Sequence, residues 1–517
     1  MGDFFLSIDN GGTKTKVMVF DEKGKQVSCA AFPTACEEEK AGFREIDLAK
    51  LWESIGTAIQ DAIKMARIDR SEVKAVACVG HGKGLYLLDK DQQIFYPGIL
   101  STDTRANSLA AELEKRNKEI FPVSCQHVVG SQAPVLLKWL KIHQPDVYQK
   151  IGSVLSAKDF VRSRLTGKIA AEYGDASGNN FLNLKTRAYD SSLFTFFDIM
   201  ECWEKMPVLK SCEDICGDVT AEAAAMTGLQ EGTPVIGGLF DLDACALATG
   251  VLDDDIFGIT AGTWNINMYP AKECAAQTTG LMNSLFLKDK FLVEASSATS
   301  AGNLELMIQM LMEPEKEAAE KAGRSVYDSL EEMLSHTDAG YAKVFFFPFL
   351  YGSNVDLAAR GSLIGMQSTT KKMELLRAVY EGIAFAHRYH IEQLIKARGA
   401  RPKVLRISGG CTNSPSWVQM FADVSGIAVE TVEAKELGGL GGAMAAAAGI
   451  GRYDSLIEAS AKMTRVTRHY LPDSKQVRLY QEKYAVYLEL LQALACSWKK
   501  LSSMQERMKH DEFLGNL

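Results

Sequence analysis

The chain has 517 residues, too many for one hydrophobic core, so two or more domains are expected. Its make-up is that of a folded enzyme, 47% hydrophobic and 24% charged. A net charge of −8 and a pI near 5.7 argue against a nucleic-acid or anionic-membrane surface, so an anionic ligand must be met by local groups. The 11 cysteines are scattered without CxxC spacing; Cys212 and Cys216 lie four apart with no second pair to complete a metal set, which reads as reduced cytosolic thiols. No basic stretch with an apolar core precedes the first strand, so no signal peptide is expected, and Leu6 stands where a myristoylation signal needs Ser or Thr. The run "GGLGGAMAAAAGIG" is too short and too Gly-rich to span a membrane.

The chain opens on "FFLSIDNGGTKTKVMVFDEKG", where two apolar runs, Phe4–Ile8 and Val17–Phe20, read as strands around a polar bend. A structural turn needs little beyond Asn10-Gly11, the corner of a type I′ hairpin. This bend also carries Asp9, Gly12, Thr13, Lys14 and Thr15. Glycine backbones approach a phosphate closely, Thr13 and Thr15 can donate hydroxyls, Lys14 adds charge, and Asp9 could hold a hydrated Mg2+ riding on the phosphates. Next, Leu48, Leu51, Ile55, Ile59 and Ile63 have helical spacing, and "VKAVACVG" reads as a buried strand. The following "GHGKGLYLLD" is not a Walker loop: Ala77 replaces the first Gly and Gly84 the hydroxyl residue after Lys83. Lys83 on this turn is either a ligand contact or a solvent-facing lysine. In "STDTRA", Asp103 and Arg105 can bind hydroxyls or tie the loop down. "PVLLKWLKIHQP" reads as a helix opened by Pro134.

In "VIGGLFDLDACALATG" a strand at Val235–Ile236 runs into Gly237-Gly238 and then a helix. Of its two acids, Asp243 reads as the helix cap and Asp241 as the functional acid facing a cleft. From Ile256, "IFGITAGTWNINMYP" again sets a strand against a Gly-Thr turn, Gly262-Thr263, and then a second strand. This echo of the first hairpin predicts two similar domains, divided in "ATGVLDDDIFG" into 1–253 and 254–517, with a phosphate cradle on each. "MELLRAVYEGIAFAHRYHIEQLIKA" is a long helix; His387 and His390 lie three apart on it without an acid cluster, so packing or surface roles are expected. "KVLRISGG" is a strand ending at Gly409-Gly410, and Asn413-Ser414-Pro415 then opens a helix, leaving a loop where a flat ring could lie. "KELGGLGGAMAAAAG" is a small-residue helix suited to tight packing or to a ligand, and it lacks the third glycine of a dinucleotide fingerprint. The last helix, "SKQVRLYQEKYAVYLELLQALACSWKKL", carries a Tyr and Leu stripe expected in the core.

Taken together, "IDNGGTKTKVMVFD", "SAKDFVRSRLTGKIAAEYGDASGNNFLN", "FGITAGTWN", "RAVYEGIAFAHRYHIEQL" and "ISGGCTNSPSWVQMFADVSGIAV" resemble, in order and over nearly the whole chain, the FGGY family of carbohydrate kinases. The resemblance implies an α/β fold of two ribonuclease-H-like domains of the actin and sugar-kinase superfamily around a central cleft. It implies ATP and Mg2+ as cofactors and a small sugar as acceptor, with no nucleic-acid or membrane partner and a cytoplasmic setting; it leaves a homodimer open. Asp241 would be the catalytic base and Asp9 the acid beside Mg2+. Gly11, Gly12, Thr13, Lys14, Thr15, Gly262 and Thr263 would bind phosphates, and Gly409, Gly410 and Asn413 the adenosine. Gly82, Lys83, Asp103, Arg105 and Asp241 would contact the sugar. The turn His81-Gly82-Lys83 departs from the Gln-Met-His of D-xylulose kinases, while "GKGLYLLDK", "EASSATSAGNLE" and "FFFPFLYGSN" resemble L-xylulose kinases, some of which also take 3-keto-L-gulonate. A lysine could pair with such a sugar acid. Other FGGY substrates (D-xylulose, erythritol, glycerol) and a nucleotide-driven switch of the same superfamily are the alternatives.

Overall fold

The computed structural model describes residues 2–353 and 355–515. In chain order, the elements that frame the site begin with β1 (Phe4–Asn10), β2 (Lys14–Asp21), β3 (Gln26–Pro33), α1 (Leu48–Ala66), β4 (Val73–Gly80), α2 (Ala157–Thr166), β5 (Ile215–Asp218), β6 (Pro234–Phe240) and α3 (Asp241–Ala248). They continue with β7 (Ile256–Ala261), β8 (Asn265–Ala271), α4 (Ala301–Lys321), α5 (Lys372–Arg398), β9 (Val404–Ser408), α6 (Pro415–Ser425), β10 (Ala428–Val432), α7 (Leu437–Gly449), β11 (Val466–Tyr470) and α8 (Ser474–Gly515).

The chain forms two compact units. The first runs as far as Asp253 and regains Pro270–Val293 and Glu433–Arg465; the second holds Asp254–Tyr269, Glu294–Val432 and the chain from Val466 on. The first change of unit falls in the acidic turn at Asp253–Asp254, and the two returning stretches have no place in a division into 1–253 and 254–517.

The first unit is built on a six-stranded sheet of order β5-β6-β4-β1-β2-β3. β1 is antiparallel to β2, and β1, β4 and β6 run parallel, with β5 antiparallel at the edge. The second unit repeats this pattern in the run β8-β7-β9-β10-β11: a hairpin strand, two parallel neighbours and an antiparallel edge. The repeated Gly-Thr hairpin in the sequence is the visible trace of the repeated sheet.

Strands of the first sheet are apolar on both faces because both faces are covered. Leu6, Ile8, Val17, Val19, Val76 and Cys78 share a core with Leu51, Ile55 and Ile59 of α1. Helix α1 starts where the Asp47 side chain accepts from the N–H groups of Ala49 and Lys50 at 2.9 and 3.1 Å. The opposite face is closed by α7, whose small residues serve packing: a Cβ at Gly441 would lie 2.6 Å from the Ala244 Cα of α3. In the second unit Tyr480, Tyr484, Tyr487, Leu491 and Trp498 of α8 are buried, as their stripe predicts. Among the described residues no helix is long and apolar enough to cross a membrane.

Alanine is a better helix former than glycine by about 1 kcal/mol, yet at Gly441 its methyl has nowhere to go. Gly441→Ala should therefore lower stability by about 1–3 kcal/mol in thermal or urea melts, against the sign of helix propensity; an unchanged or raised melting point would show that α7 is free to shift.

Candidate active site

The carboxyl ends of three parallel strands lie level. Asn10 of β1 is paired with Gly80 of β4, and Gly80 with Phe240 of β6. Ligands gather at such an edge because loops of varied sequence leave it side by side. The level of Phe240 depends on a bulge: Ile236 pairs with Ala77 and Leu239 with Val79, so β6 carries one extra residue. Gly238 absorbs it with φ +82°, and a Cβ there would lie 3.0 Å from the Cys78 carbonyl carbon. The strand thus passes through Gly237-Gly238 instead of ending there, and α3 begins at Asp241.

That start corrects the expected helix cap. Phe240 holds the capping position without a side-chain hydrogen bond, and Asp241 and Asp243 both lie in the first turn. Asp241 is half-buried, whereas Asp243 is 2% exposed, with Oδ1 lacking a hydrogen-bond partner among the described residues. Burial first, then the charges of Glu172, Asp175 and Asp241, hold the Asp243 carboxyl well above the usual carboxylate range.

On one side of Gly80 stands the first hairpin. Neither Gly11 nor Gly12 has positive φ, so the bend is not the type I′ corner that Asn10-Gly11 alone suggests. Gly11 and Gly12 are half-buried, while Thr13 and Lys14 are exposed. Thr15 departs from its expected phosphate role: it is fully buried, its hydroxyl 3.2 Å from the Asn10 side-chain amide and 3.1 Å from the Thr34 hydroxyl. Thr34 in turn donates to the Gly11 carbonyl at 2.8 Å, so Thr15 braces the bend from inside.

The turn after β4 is pinned to this hairpin by the His81 N–H, which donates to the Asn10 carbonyl at 3.1 Å. A Cβ on Gly82 would strike the Phe240 ring, so this turn abuts the residue preceding Asp241. Lys83 sits at φ +63°, a strained conformation for a side-chain-bearing residue, and its ammonium has no partner among the described residues. Asp103 and Arg105 make the loop tie that the sequence left as one of two readings. Arg105 Nε lies 3.0 Å from both Asp103 oxygens, its Nη2 pairs with Glu45 at 2.7 Å, and its guanidinium stacks 4.1 Å from the Phe43 ring. Both side chains are withdrawn from solvent, which leaves no surface on either for a direct sugar contact.

Asp9, at the end of β1, is half-buried and lies beside Gly438 in the first turn of α7. Burial pushes its carboxyl up to about 6, Lys16 opposing the shift and Glu436 adding to it. Lys16, its cross-strand partner, is spent on Glu436 at 2.5 Å. Asp9 is therefore a carboxylate short of positive charge. This fits Mg2+, which keeps its waters and uses one or two carboxylates together with substrate phosphates. Among the described residues no group of three or more ligating side chains forms a complete metal site.

Behind the Gly80 turn, α2 carries buried charge. Lys158 Nζ lies 3.1 Å from Asp159, 3.3 Å from Asp175 and 3.7 Å from Glu172, and Arg162 lies 2.8 Å from Asp159. Burial alone would drive the Lys158 ammonium down, but these carboxylates hold it above its ordinary value. The cluster was not singled out as a candidate in the sequence: its members all lie in the stretch "SAKDFVRSRLTGKIAAEYGD", but nothing in their spacing announces that their charges meet. Lys16 could have been found from hairpin register alone, but Glu436 could not.

In the second unit β7 and β9 end level, Thr260 beside Ser408, with their hydroxyls 3.0 Å apart. Gly262, Thr263, Gly409, Gly410 and Asn413 follow these ends. Thr263, Gly409, Gly410 and Asn413 are exposed and Gly262 is half-buried. A Cβ on Gly409 would lie 3.0 Å from the Gly262 N, so the Gly-Thr turn and the Gly-Gly loop are neighbours.

Residues 4–248 match the N-terminal domain of the FGGY family of carbohydrate kinases and residues 258–450 its C-terminal domain. The chain is 33% identical over 495 residues to a probable L-xylulose kinase of Haemophilus influenzae, covering 95% of this chain and 99% of that one. It is 32% identical over 509 residues to an L-xylulose/3-keto-L-gulonate kinase of Escherichia coli, covering 96% and 98%. The crystal structure of a ligand-bound xylulose kinase from Lactobacillus acidophilus superposes with a TM-score of 0.88 at 23% identity, over 96% of this chain and 100% of that one, which shows the common fold. With both domains matched and relatives aligned end to end, the chain is a phosphotransferase belonging to the FGGY family of carbohydrate kinases.

Proposed function

We propose that this kinase transfers the γ-phosphoryl group of ATP to a hydroxyl of a ketopentose such as L-xylulose, or of the sugar acid 3-keto-L-gulonate, with Asp241 as general base. The observation that carries the reading is the level row Asn10, Gly80 and Phe240, which gathers Asp9, the Lys83 turn and Asp241 at one sheet edge. The names of the two curated relatives support the sugar. The unpartnered Lys83 ammonium favours the acid, since a carboxylate would give it the ion pair it lacks.

In this reading Asp241 takes the hydroxyl proton as the oxygen attacks the γ-phosphorus in line. The N–H groups of Gly11 and Gly12, with Thr13 and Lys14, hold phosphate oxygens in the first unit; the Gly262-Thr263 turn does so in the second, and Gly409, Gly410 and Asn413 take the adenosine. Asp9 would hold Mg2+, which, when bound, spreads the charge of the phosphate oxygens. Asp103 and Arg105 contribute by tying their loop to the stretch of Phe43, Arg44 and Glu45. Asp243, its carboxyl held well above the usual carboxylate range, packs the base of α3.

Asp241→Ala should lower kcat by about 10²–10⁴-fold while Mg·ADP binds within about twofold of the parent by calorimetry; a retained rate would remove Asp241 as the base. Lys83→Met should raise KM for 3-keto-L-gulonate about tenfold and that for L-xylulose less than about twofold. Unchanged KM values for both sugars would make Lys83 a surface lysine. Asp9 supplies a third test through its proton. Its folded value near 6 exceeds the ordinary 3.8, so the folded chain binds this proton more tightly than the unfolded chain. Ionisation of Asp9 then costs stability above pH 6, and the loss is recovered as pH falls from about 6 to about 4. Nucleotide-free Asp9→Asn should melt higher than the parent near pH 7.5, lose that advantage by about pH 4, and be inactive throughout; a gap between the two chains that does not change with pH would contradict the assignment.

A further inference from the structure

A buried polar chain lies in the second unit, built from side chains that the phosphoryl-transfer reading does not use. His387 and His390 on α5 are 0% and 1% exposed. Their hydrogen bonds have one self-consistent direction. Asn265 Oδ1 accepts from Asn267 Nδ2 at 2.6 Å, so Asn267 presents Oδ1 to His387 Nδ1, 3.1 Å away. An acceptor there requires His387 to donate from Nδ1, which makes its Nε2 the acceptor of the Ser300 hydroxyl at 3.1 Å. Asn265 Nδ2 donates to Thr299 Oγ1 at 3.0 Å; the Thr299 hydroxyl meets Ser297 Oγ at 2.8 Å, and Ser297 meets His390 Nε2 at 2.9 Å. His390 closes the chain by donating from Nδ1 to Gln393 Oε1 at 3.0 Å. With Nδ1 donating, each of these two imidazoles can accept at Nε2 only in its neutral form. Burial agrees, holding His387 well below its ordinary value and His390 down at about 4.

The chain ends at the Gly262-Thr263 turn. Ser300 occupies the capping position of α4, yet its hydroxyl makes no cap bond because it is committed to His387. The next N–H, that of Ala301, donates to the Gly262 carbonyl at 2.8 Å, and a Cβ on Gly302 would lie 3.3 Å from the Thr263 carbonyl oxygen. We infer that His387 is a positioning residue for nucleotide binding: by accepting the Ser300 hydroxyl it fixes the peptide that holds Gly262, and so sets the Gly262-Thr263 turn. This rests on the reading of that turn as phosphate-binding.

The two ends of the imidazole can be replaced separately. In His387→Gln the side-chain oxygen still reaches the Ser300 hydroxyl but the link to Asn267 is lost; in His387→Asn the amide reaches Asn267 and the Ser300 contact is lost. Mg·ADP is titrated calorimetrically into the full-length chain carrying each variant, Ser300→Ala, or Gly262→Val. The last places a side chain on the turn where only Thr260 Cγ2 lies within reach, at 3.9 Å, so the fold is spared. Positioning predicts that His387→Asn and Ser300→Ala each weaken Mg·ADP about tenfold, non-additively when combined, while His387→Gln stays within about twofold. If Gly262→Val weakens Mg·ADP but His387→Asn and Ser300→Ala do not, or if the glutamine variant is as weak as the asparagine one, His387 does not position the turn. If Gly262→Val binds as the parent does, the phosphate reading of the turn fails instead. Ser300→Ala serves alone should His387→Asn not fold.

Discussion

The site depends on register. Three neighbouring parallel strands must stop at one level for a hairpin acid, the Lys83 turn and a helix-borne acid to share an edge. Pairing fixes Asn10 against Gly80, but β6 reaches that level only because its bulge at Gly237-Gly238 alters the pairing between Ile236 and Leu239. Adjacent strands lie about 4.8 Å apart, so Asp9 and Asp241 are carried on strand ends two spacings, about 10 Å, from each other, with the His81–Gly84 turn between them. Removing the extra residue would shift the pleat by one and turn the alternation at the end of β6 to the other face. The bulge therefore does for Asp241 what hairpin register does for Asp9.

Around that edge, buried charge is handled in two ways. Lys158 and Arg162 are matched to Asp159, Glu172 and Asp175, so α2 can drive a charged cluster against the end of β4; breaking one partner would leave an uncompensated ion. Asp243 joins the same region without a cation of its own, and its carboxyl is held well above the usual carboxylate range. Asp9 is the exception. Its cross-strand lysine is diverted to Glu436, and its carboxyl titrates near 6. A group left under-compensated in this way holds free energy that a bound cation would release.

Much of this was readable from residue order. Apolar runs around a polar bend located β1 and β2, helical spacing located α1, and the repeated Gly-Thr hairpin announced a repeated sheet. What was lost has identifiable causes. Gly237-Gly238 reads as a strand end because local sequence cannot tell a bulge from a stop, and that error alone moved the start of α3 and made Asp243 a cap. Thr15 reads as a phosphate donor because alternation does not reveal which hydroxyl finds Asn10 and Thr34 inside. Asp103 and Arg105 have the chemistry of a hydroxyl-binding pair; only Glu45 and Phe43, some 60 residues away, show that the pair is saturated. The returning stretches Pro270–Val293 and Glu433–Arg465 carry no compositional mark, since a chain re-entering an existing core has the same apolar pattern as one building its own.

The two units also differ in what lies beneath their glycine turns, and the difference has a physical reading. Under the Gly80 turn the support is ionic; beneath Gly262 it is a neutral chain from Ser300 to Gln393. A buried cation under a phosphate-binding turn would attract the triphosphate in every state of the reaction, strengthening product and substrate binding alike and adding nothing to the rate. Neutral side chains linked by hydrogen bonds hold the backbone as firmly, and aligned dipoles in a low-dielectric interior reinforce one another. Such a chain backs the Gly262-Thr263 turn without placing a charge beneath it. Histidine suits this use only when burial keeps it neutral, which is the condition that both imidazoles meet.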